Sequence, residues 1–485
     1  MYIGIDLGTS SVKLLLMEND GTILAKAVRE YGLSFPHTGW SEQNPEDWYV
    51  QTLDGIKELL EGRDHGAVKG IGIGGQMHGL VMLDKDDNVI RPAILWNDGR
   101  TVEETDYLND EFGRDKLMQY TGNVAFAGFT APKILWVKKN EPENFAKACK
   151  IMLPKDYLVY KLTGAFSTDM SDASGMLLFD VEHGTWSAEM LKVCGITEDM
   201  LPKIYKGYEV VGELTDDIKN KLSLTGTVNV SAGAGDNAAA AVGMGIAGAG
   251  KCNISVGTSG TIFLTSDSYR VDKTCALHSF RHADGGFHLL GCMLSAASCN
   301  KWFMDEILQT KDYAGEQKPI SKLGENNVFF LPYLMGERSP HNDPEVRGSF
   351  TGLSLDTTRA DMVQAMLEGV AFGVRDMLTA ARNIGYDPAE SCICGGGAKS
   401  PLWRQIIANV TGMKLVTVEN DEGPSYGGAI LAAVGNGEFK TVAEASLAVT
   451  KTGAITEPDK ALIEKYNEKY AKYTEIYPAV KNLYH

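Results

Sequence analysis

Two aspartates stand where a carboxylate could do chemistry. Asp236 lies in Ser231-Ala232-Gly233-Ala234-Gly235-Asp236-Asn237-Ala238-Ala239, directly after a strand pattern at 228–231. The small residues let a ligand approach the backbone, and a strand-to-helix turn can aim the carboxylate into a cleft. An Asp at such a turn is commonly a helix N-cap. The glycine-rich approach and the polar Asn237 beside it favour a general base, which must come within hydrogen-bond reach of a reacting hydroxyl. Asp6 ends the apolar run Tyr2-Ile3-Gly4-Ile5 and precedes Gly8-Thr9-Ser10-Ser11. A small polar hairpin tip presents backbone N–H groups to phosphate oxygens. A carboxylate beside it can hold Mg2+, directly or through water. Lys13 follows at a distance that could reach a phosphate.

The same device occurs again at Asn253-Ile254-Ser255-Val256-Gly257-Thr258-Ser259-Gly260-Thr261-Ile262-Phe263-Leu264. Here Ser255 takes the place of Asp6, so only one hairpin carries a carboxylate. Two such hairpins suggest two similar domains gripping one nucleotide, with Gly257 and Thr258 at the second tip. Gly395-Gly396-Gly397-Ala398-Lys399-Ser400 closes a strand and opens a helix, and its backbone can approach a flat base or a ribose. Gln76-Met77-His78-Gly79 follows another strand. A single His is usually structural, but the flanking Gly74, Gly75 and Gly79 leave it little core to pack in, and its imidazole could bond sugar hydroxyls. Trp40, Trp96 and Trp136 could each support a sugar face or simply fill the core.

The elements that must hold these residues follow a repeated plan. Strand patterns at 2–7, 11–17 and 22–29 lead to a helix that Asn44 can cap, with Pro45, Glu46 and Asp47 in its first turn and Gly62 beyond its end. A strand at 69–73 completes a ribonuclease-H-like opening. The second half shows strands at 251–256, 261–265 and 287–290, a helix at 295–308, a strand at 328–331, a long helix at 357–384, a strand at 391–394 and a helix at 401–411. The expected fold is α/β, two ribonuclease-H-like domains with a cleft between them. The division falls near 243–250, where several glycines could serve as a hinge.

Bulk properties narrow the function. The chain has 485 residues, enough for two or three domains, and a formal net charge of -17. Such acidity disfavours nucleic acid and anionic membrane as partners. Its eight cysteines include no CxxC pair and read as reduced cytosolic thiols. No secretory leader is expected, because Asp6 interrupts any apolar run, and the Ala/Gly-rich stretch 238–250 suits a tightly packed helix better than a membrane span. A cytoplasmic enzyme is the expectation.

Taken together, these residues resemble the FGGY family of carbohydrate kinases, of the actin/hexokinase-type fold, essentially end to end. Two long family patterns carry the resemblance. One is Gly128-Phe129-Thr130-Ala131-Pro132-Lys133-Ile134-Leu135-Trp136-Val137-Lys138-Lys139-Asn140, and the other runs from Gly348-Ser349-Phe350-Thr351-Gly352-Leu353 through Asp361-Met362 to Ala365-Met366-Leu367-Glu368. Within the family it is similar to the members that phosphorylate D-xylulose, through Gly75–Gly79, Ile94-Leu95-Trp96-Asn97-Asp98-Gly99-Arg100, Leu153-Pro154-Lys155-Asp156-Tyr157, Ser171-Asp172-Ala173-Ser174-Gly175 and Gly336-Glu337-Arg338-Ser339-Pro340-His341. The resemblance implies ATP-dependent formation of D-xylulose 5-phosphate with Mg2+. Residues 1–245 would bind the sugar and carry the catalytic residues, and 246–485 would bind the nucleotide. It implies Asp236 as the base, Asp6 as the metal-associated acid and Met77, His78 and Asn237 as sugar contacts. Thr9, Ser10, Ser11, Thr258, Gly396 and Gly397 would be nucleotide contacts. Ser11 and Ala234 depart from the family's usual glycines. The expected partners are D-xylulose and ATP, with a homodimer as a possible assembly. The alternatives are another FGGY kinase acting on ribulose, gluconate or a related polyol, a non-catalytic regulator on the same fold, and a chaperone-like ATPase. Both aspartates speak against the regulator, and the sugar-type stretches speak against the chaperone.

Overall fold

A computed structural model of the chain describes residues 1–419 and 422–485. Two seven-stranded mixed sheets dominate it. The first runs Val210–Glu213, Asn229–Ser231, Gly70–Gly75, Tyr2–Leu7, Ser11–Met17, Ile23–Glu30, with Ala234–Gly235 also paired to Gly70–Gly75. The second runs Thr452–Thr456, Lys414–Val418, Glu390–Cys394, Cys252–Val256, Gly260–Ser266, Phe287–Met293, His278–Arg281. The central strand of each is antiparallel to its hairpin mate and parallel to the strand on its other side. Asp6 therefore lies between Lys13 and Gly74, and Ser255 lies between Thr261 and Cys394.

Local sequence accounts for the elements that frame these sheets. Asn44 accepts a hydrogen bond from the Glu46 N–H and starts the helix Pro45–Leu60, which buries Trp48, Leu53, Ile56 and Leu60. Thr358 and Asp361 form a reciprocal capping box at the head of Arg359–Asn383. The helix expected at 295–308 is interrupted. It is α-helical over Ala297–Trp302, then widens so that the Leu308 N–H reaches the Phe303 carbonyl at 2.9 Å. The wider turn lets the consecutive Phe303 and Met304 both enter the core. The strand Phe329–Leu331 pairs with Ser349–Thr351, outside the main sheet. The helix after Gly235 stops at Gly243, and Gly245, Gly248 and Gly250 then take left-handed backbone angles in the link between halves.

Two features tie the halves together. The helix Gly423–Gly435 belongs to the second half in sequence but packs on Tyr2–Leu7 and Gly70–Gly75 of the first. The approach is backbone to backbone: a Cβ on Gly4 would fall 1.8 Å from the Ser425 carbonyl oxygen, and one on Gly72 would fall 1.9 Å from that of Gly428. Conversely, the first half caps the edge strand His278–Arg281 of the second sheet. The Asn123 amide donates to the Ser279 carbonyl at 2.8 Å and accepts from the Ser279 N–H, and the Arg281 N–H donates to Ser174 Oγ at 3.0 Å. A shared apolar core, with Met77 and Phe129 from one half and Phe263, Phe280 and Leu290 from the other, underlies the cleft.

Candidate active site

Asp236 is the first residue of its helix, and the Asn237 N–H donates to its Oδ1 at 2.7 Å. Burial in the cleft, aided by the negative charge of Asp6, pushes its carboxyl up to about 7. The loop before it is held at both ends by buried polar side chains. Lys155 Nζ donates to the Ala232 carbonyl at 3.0 Å, and the Gly235 N–H donates to Ser171 Oγ at 3.1 Å. Ser171 Oγ donates in turn to Asp169 Oδ2 at 2.5 Å, and Asp169 lies 3.2 Å from Lys155 Nζ. Burial opposes the charge of Lys155, but Asp156, Asp169 and Asp172 outweigh it and hold the ammonium protonated. This network closes into a clamp on residues 232–235.

His78 is fixed by a second buried lysine. Its backbone is left-handed, with φ 68°. Its carbonyl accepts from Lys133 Nζ at 2.8 Å and from Thr130 Oγ1 at 3.1 Å, so the strained residue is bonded in place. Lys133 also donates to the Gly128 carbonyl at 2.6 Å, and burial lowers its ammonium to about 7. The His78 ring pairs Nδ1 with the Gly175 carbonyl at 2.7 Å, which makes Nδ1 the protonated nitrogen and leaves Nε2 an acceptor. Burial, with the nearby charge of Lys133, lowers this imidazole to about 3, so it is neutral at physiological pH.

These side chains meet in a cavity of about 230 Å³, walled by Met77, His78, Trp96, Phe129, Asp236 and Asn237 from the first half. Its far wall is Ser259, Thr261, His278, Phe280, Leu290, Cys292 and Arg338 from the second. His278 repeats the logic of His78: its Nδ1 faces Asn123 Oδ1 at 3.3 Å, and burial lowers it to about 3. Of the three tryptophans, Trp96 alone reaches this wall, and its Nε1 donates to Thr9 Oγ1 at 2.9 Å. Trp40 and Trp136 instead flank the Arg100 guanidinium, at 3.7 and 4.9 Å from its Cζ.

A second cavity, about 760 Å³, lies against the same hairpin. Gly257, Thr258, Gly396 and Gly397 line it, with Ser298, Tyr313, Gln317 and Ser400. The tip carbonyls of Gly257 and Thr258 accept from the Ala297 and Ala296 N–H groups at 2.7 and 2.9 Å. Gly257 and Thr258 thus face one cavity and Ser259 and Thr261 the other, so the hairpin tip is a partition between them.

Asp6, Thr9, Ser10, Ser11 and Lys13 lie on the wall of neither cavity and occupy the first hairpin. Its tip is held by Tyr31 and Gln43, which donate to the Gly8 and Thr9 carbonyls at 2.5 and 2.6 Å. Asp6 is 7% exposed, and burial, opposed by Lys13, lifts its carboxyl to about 6. Lys13 Nζ stands 3.9 Å from Asp6 Oδ2 with a largely exposed side chain, so in this state its charge answers the carboxylate. Sequence reasoning passed over the far wall. His278 and Arg338 carry no local pattern of their own, although Arg338 sits in a stretch that resembles the family.

Residues 1–243 match the N-terminal domain of the FGGY family of carbohydrate kinases, and residues 252–435 match its C-terminal domain. A xylulose kinase of Escherichia coli (strain K12) is 41% identical over 448 residues, 92% of each chain. Among solved structures, a xyloylose kinase from Brucella ovis superposes with a TM-score of 0.94 at 39% identity, covering 99% of both chains. A gluconate kinase from Lactobacillus acidophilus reaches 0.93 at 26% identity, covering 100% of this chain and 98% of its own. The chain belongs to the FGGY family of carbohydrate kinases, whose members take ATP as a substrate.

Proposed function

We propose that this FGGY kinase transfers the γ-phosphoryl group of ATP to the terminal hydroxyl of D-xylulose, giving D-xylulose 5-phosphate. The observation that carries the reading is the partition. One hairpin tip separates a glycine-lined groove from a small cavity that holds a carboxylate poised near neutrality. ATP lies along Gly257, Thr258, Gly396 and Gly397, and the sugar lies against Met77, His78 and Asn237. Asp236 takes the hydroxyl proton as the sugar oxygen attacks the γ-phosphorus, and ADP leaves. The neutral His78, with Nε2 free to accept, bonds a sugar hydroxyl. Thr9, Ser10 and Ser11 close on the phosphates from the first hairpin, and Lys13 turns from Asp6 to a phosphate oxygen.

The residues present fit Mg2+ carried on the nucleotide. Among the described residues no cluster of three or more His, Cys, Asp or Glu could cage an ion, but Asp6 offers one buried carboxylate beside the hairpin tip. That suits a cation that takes most of its ligands from phosphates and water. Bound there, it would neutralise charge developing on the phosphoryl oxygens. The large gluconate-kinase superposition shows that overall shape does not select the sugar. The percent identity to the xylulose kinases supports D-xylulose. Cys149, Cys194, Cys252, Cys275, Cys292 and Cys299 are free thiols, which accords with work in the reducing cytoplasm.

The test is coupled ADP release across D-xylulose, D-ribulose, gluconate, glycerol and pentitols. The highest kcat/KM is expected with D-xylulose. A preference for gluconate or D-ribulose would keep the family and overturn the substrate.

A further inference from the structure

The far wall of the sugar cavity holds a cation with no ion-pair partner among the described residues. The Arg338 guanidinium makes no hydrogen bond or ion pair among the described residues, and its Cζ stands 5.1 Å from the centre of the Phe126 ring. Its backbone is well fixed: the Arg338 N–H donates to Glu337 Oε1 at 2.8 Å, and its carbonyl accepts from the Asn342 N–H at 2.6 Å. Glu337 is itself tied to the Leu294 N–H at 2.9 Å. A held backbone with an unpaired guanidinium on a cavity wall awaits an acceptor from the ligand. The charge of Arg338 acts on the rings of His78 and His278, whereas the charge that acts on Asp236 is that of Asp6. Arg338 lies on the wall contributed by the second half, and Asp236 on the wall contributed by the first.

The other polar groups on the wall ask for the opposite partner. His78 and His278 each spend Nδ1–H on a protein oxygen and leave Nε2 to accept. They suit hydroxyl donors. Trp96 Nε1–H is spent on Thr9. A 2-ketopentose closes its furanose ring through O5, the same oxygen that must be free to attack. The reacting sugar is consequently the open chain, and it necessarily presents a bare C2 carbonyl, its single oxygen that cannot donate.

Resting on the reading above that the substrate is a ketopentose, we propose that Arg338 recognises the C2 carbonyl and sets the preference of this enzyme for open-chain ketoses over the corresponding polyols. The guanidinium donates to the carbonyl oxygen, the two imidazoles accept from hydroxyls, and Asp236 takes the far terminal hydroxyl. A polyol puts a hydroxyl where the carbonyl was, which bonds the cation less well and loses the match.

The experiment is kcat/KM for D-xylulose, xylitol and D-arabitol with wild type, Arg338→Gln and Arg338→Lys, at saturating ATP. Arg338→Gln should lose about 10–100-fold on D-xylulose, the span for a hydrogen bond to a charged group. It should lose far less on the two polyols, and Arg338→Lys should fall between. Residual polyol turnover reports that the variants are folded. If wild type prefers the ketose and Arg338→Gln keeps the same ratio, the proposal is wrong and the substrate assignment stands. If wild type shows no ketose preference, both are wrong. Equal losses on all three sugars mean that Arg338 only shapes the wall, which also overturns the proposal.

Discussion

The two cavities beside the second hairpin are built on opposite terms. The smaller presses titratable side chains out of water, so that Asp236 sits at about 7 while His78 and His278 sit near 3. Buried lysines lock its loops. The larger shows glycines and hydroxyls, with Gly396 open enough that an added Cβ would meet nothing within 4 Å. The difference follows from what each ligand brings. A sugar is neutral, so the protein must supply a base in the right protonation state and a set of fixed donors and acceptors. A nucleotide carries its own charge and its own metal, so backbone N–H groups and space suffice. Preset chemistry costs burial and a supporting network; a phosphate groove does not.

The sharpest way to break this contrast is to remove the base. Asp236→Asn should lower kcat by roughly 10²–10⁴-fold while the affinity for ATP, read by calorimetry, stays close to wild type. The same group sets the pH dependence. Its pKa is raised and its active form is the carboxylate. Below about pH 7, kcat/KM for the sugar should therefore fall tenfold per unit, and above it should level off. A flat profile from pH 5.5 to 8 would dissociate Asp236 from the proton transfer.

The hairpins offer the next test, because Asp6 and Ser255 occupy equivalent positions in their sheets. Asp6→Asn is expected to raise the KM for Mg-ATP about 10–100-fold, the range for disturbing a metal's supporting carboxylate. Ser255→Ala should change it little. Similar effects at both positions would erase the asymmetry on which the metal assignment stands. Asp6→Asn also removes the repulsion felt by Asp236, so the acid limb of the sugar profile should move to lower pH.

A smaller effect is expected from the clamp. Ser171→Ala leaves Asp236 in place but frees the Gly235 N–H. We expect a fall in kcat of about 10-fold, since small misplacements of a reacting group are costly, with the KM for ATP unchanged and activity partly restored in Ser171→Thr. Smallest of all should be the groove. A Cβ on Gly397 would fall 2.5 Å from Val256 Cγ1, whereas one on Gly396 is free. Gly397→Ala should lose about 1–3 kcal/mol of stability, measured by denaturant titration, from overpacking. Gly396→Ala should show almost none and only a modest rise in the KM for ATP.

The contrast also marks what the sequence could reveal. The central hairpins stood out because apolar runs flank Gly-Thr-Ser turns, and the strand Tyr2–Leu7 has the bounds its pattern predicts. Asn44-Pro45 announced its helix through capping chemistry alone. The groove was visible because phosphate binding leaves a trace of consecutive small residues. The far wall of the sugar cavity left no such trace. His278 comes from an edge strand and Arg338 from a loop some 60 residues on, and only the packing of the halves brings them to His78. Lys133 and Lys155 stood in recognisable stretches, but nothing local shows that a lysine is buried against carbonyls. The break at Phe303 was hidden for a related reason: the helical spacing was present, and the demand to bury adjacent large side chains came from the fold.

The seating of helix Gly423–Gly435 on the first sheet has a consequence for biosynthesis. The strands of that sheet are complete once residue 235 has been made, yet Gly4 and Gly72 lack the cover of the helix Gly423–Gly435 until it emerges nearly 200 residues later. At about 5–20 residues per second, this leaves the nascent sheet waiting roughly 10–40 s on the ribosome. The first half should accordingly finish folding only after almost the whole chain has been translated. Stalled chains ending before residue 423 should remain sensitive to protease throughout the first half, and those extending past residue 435 should become resistant together with the second.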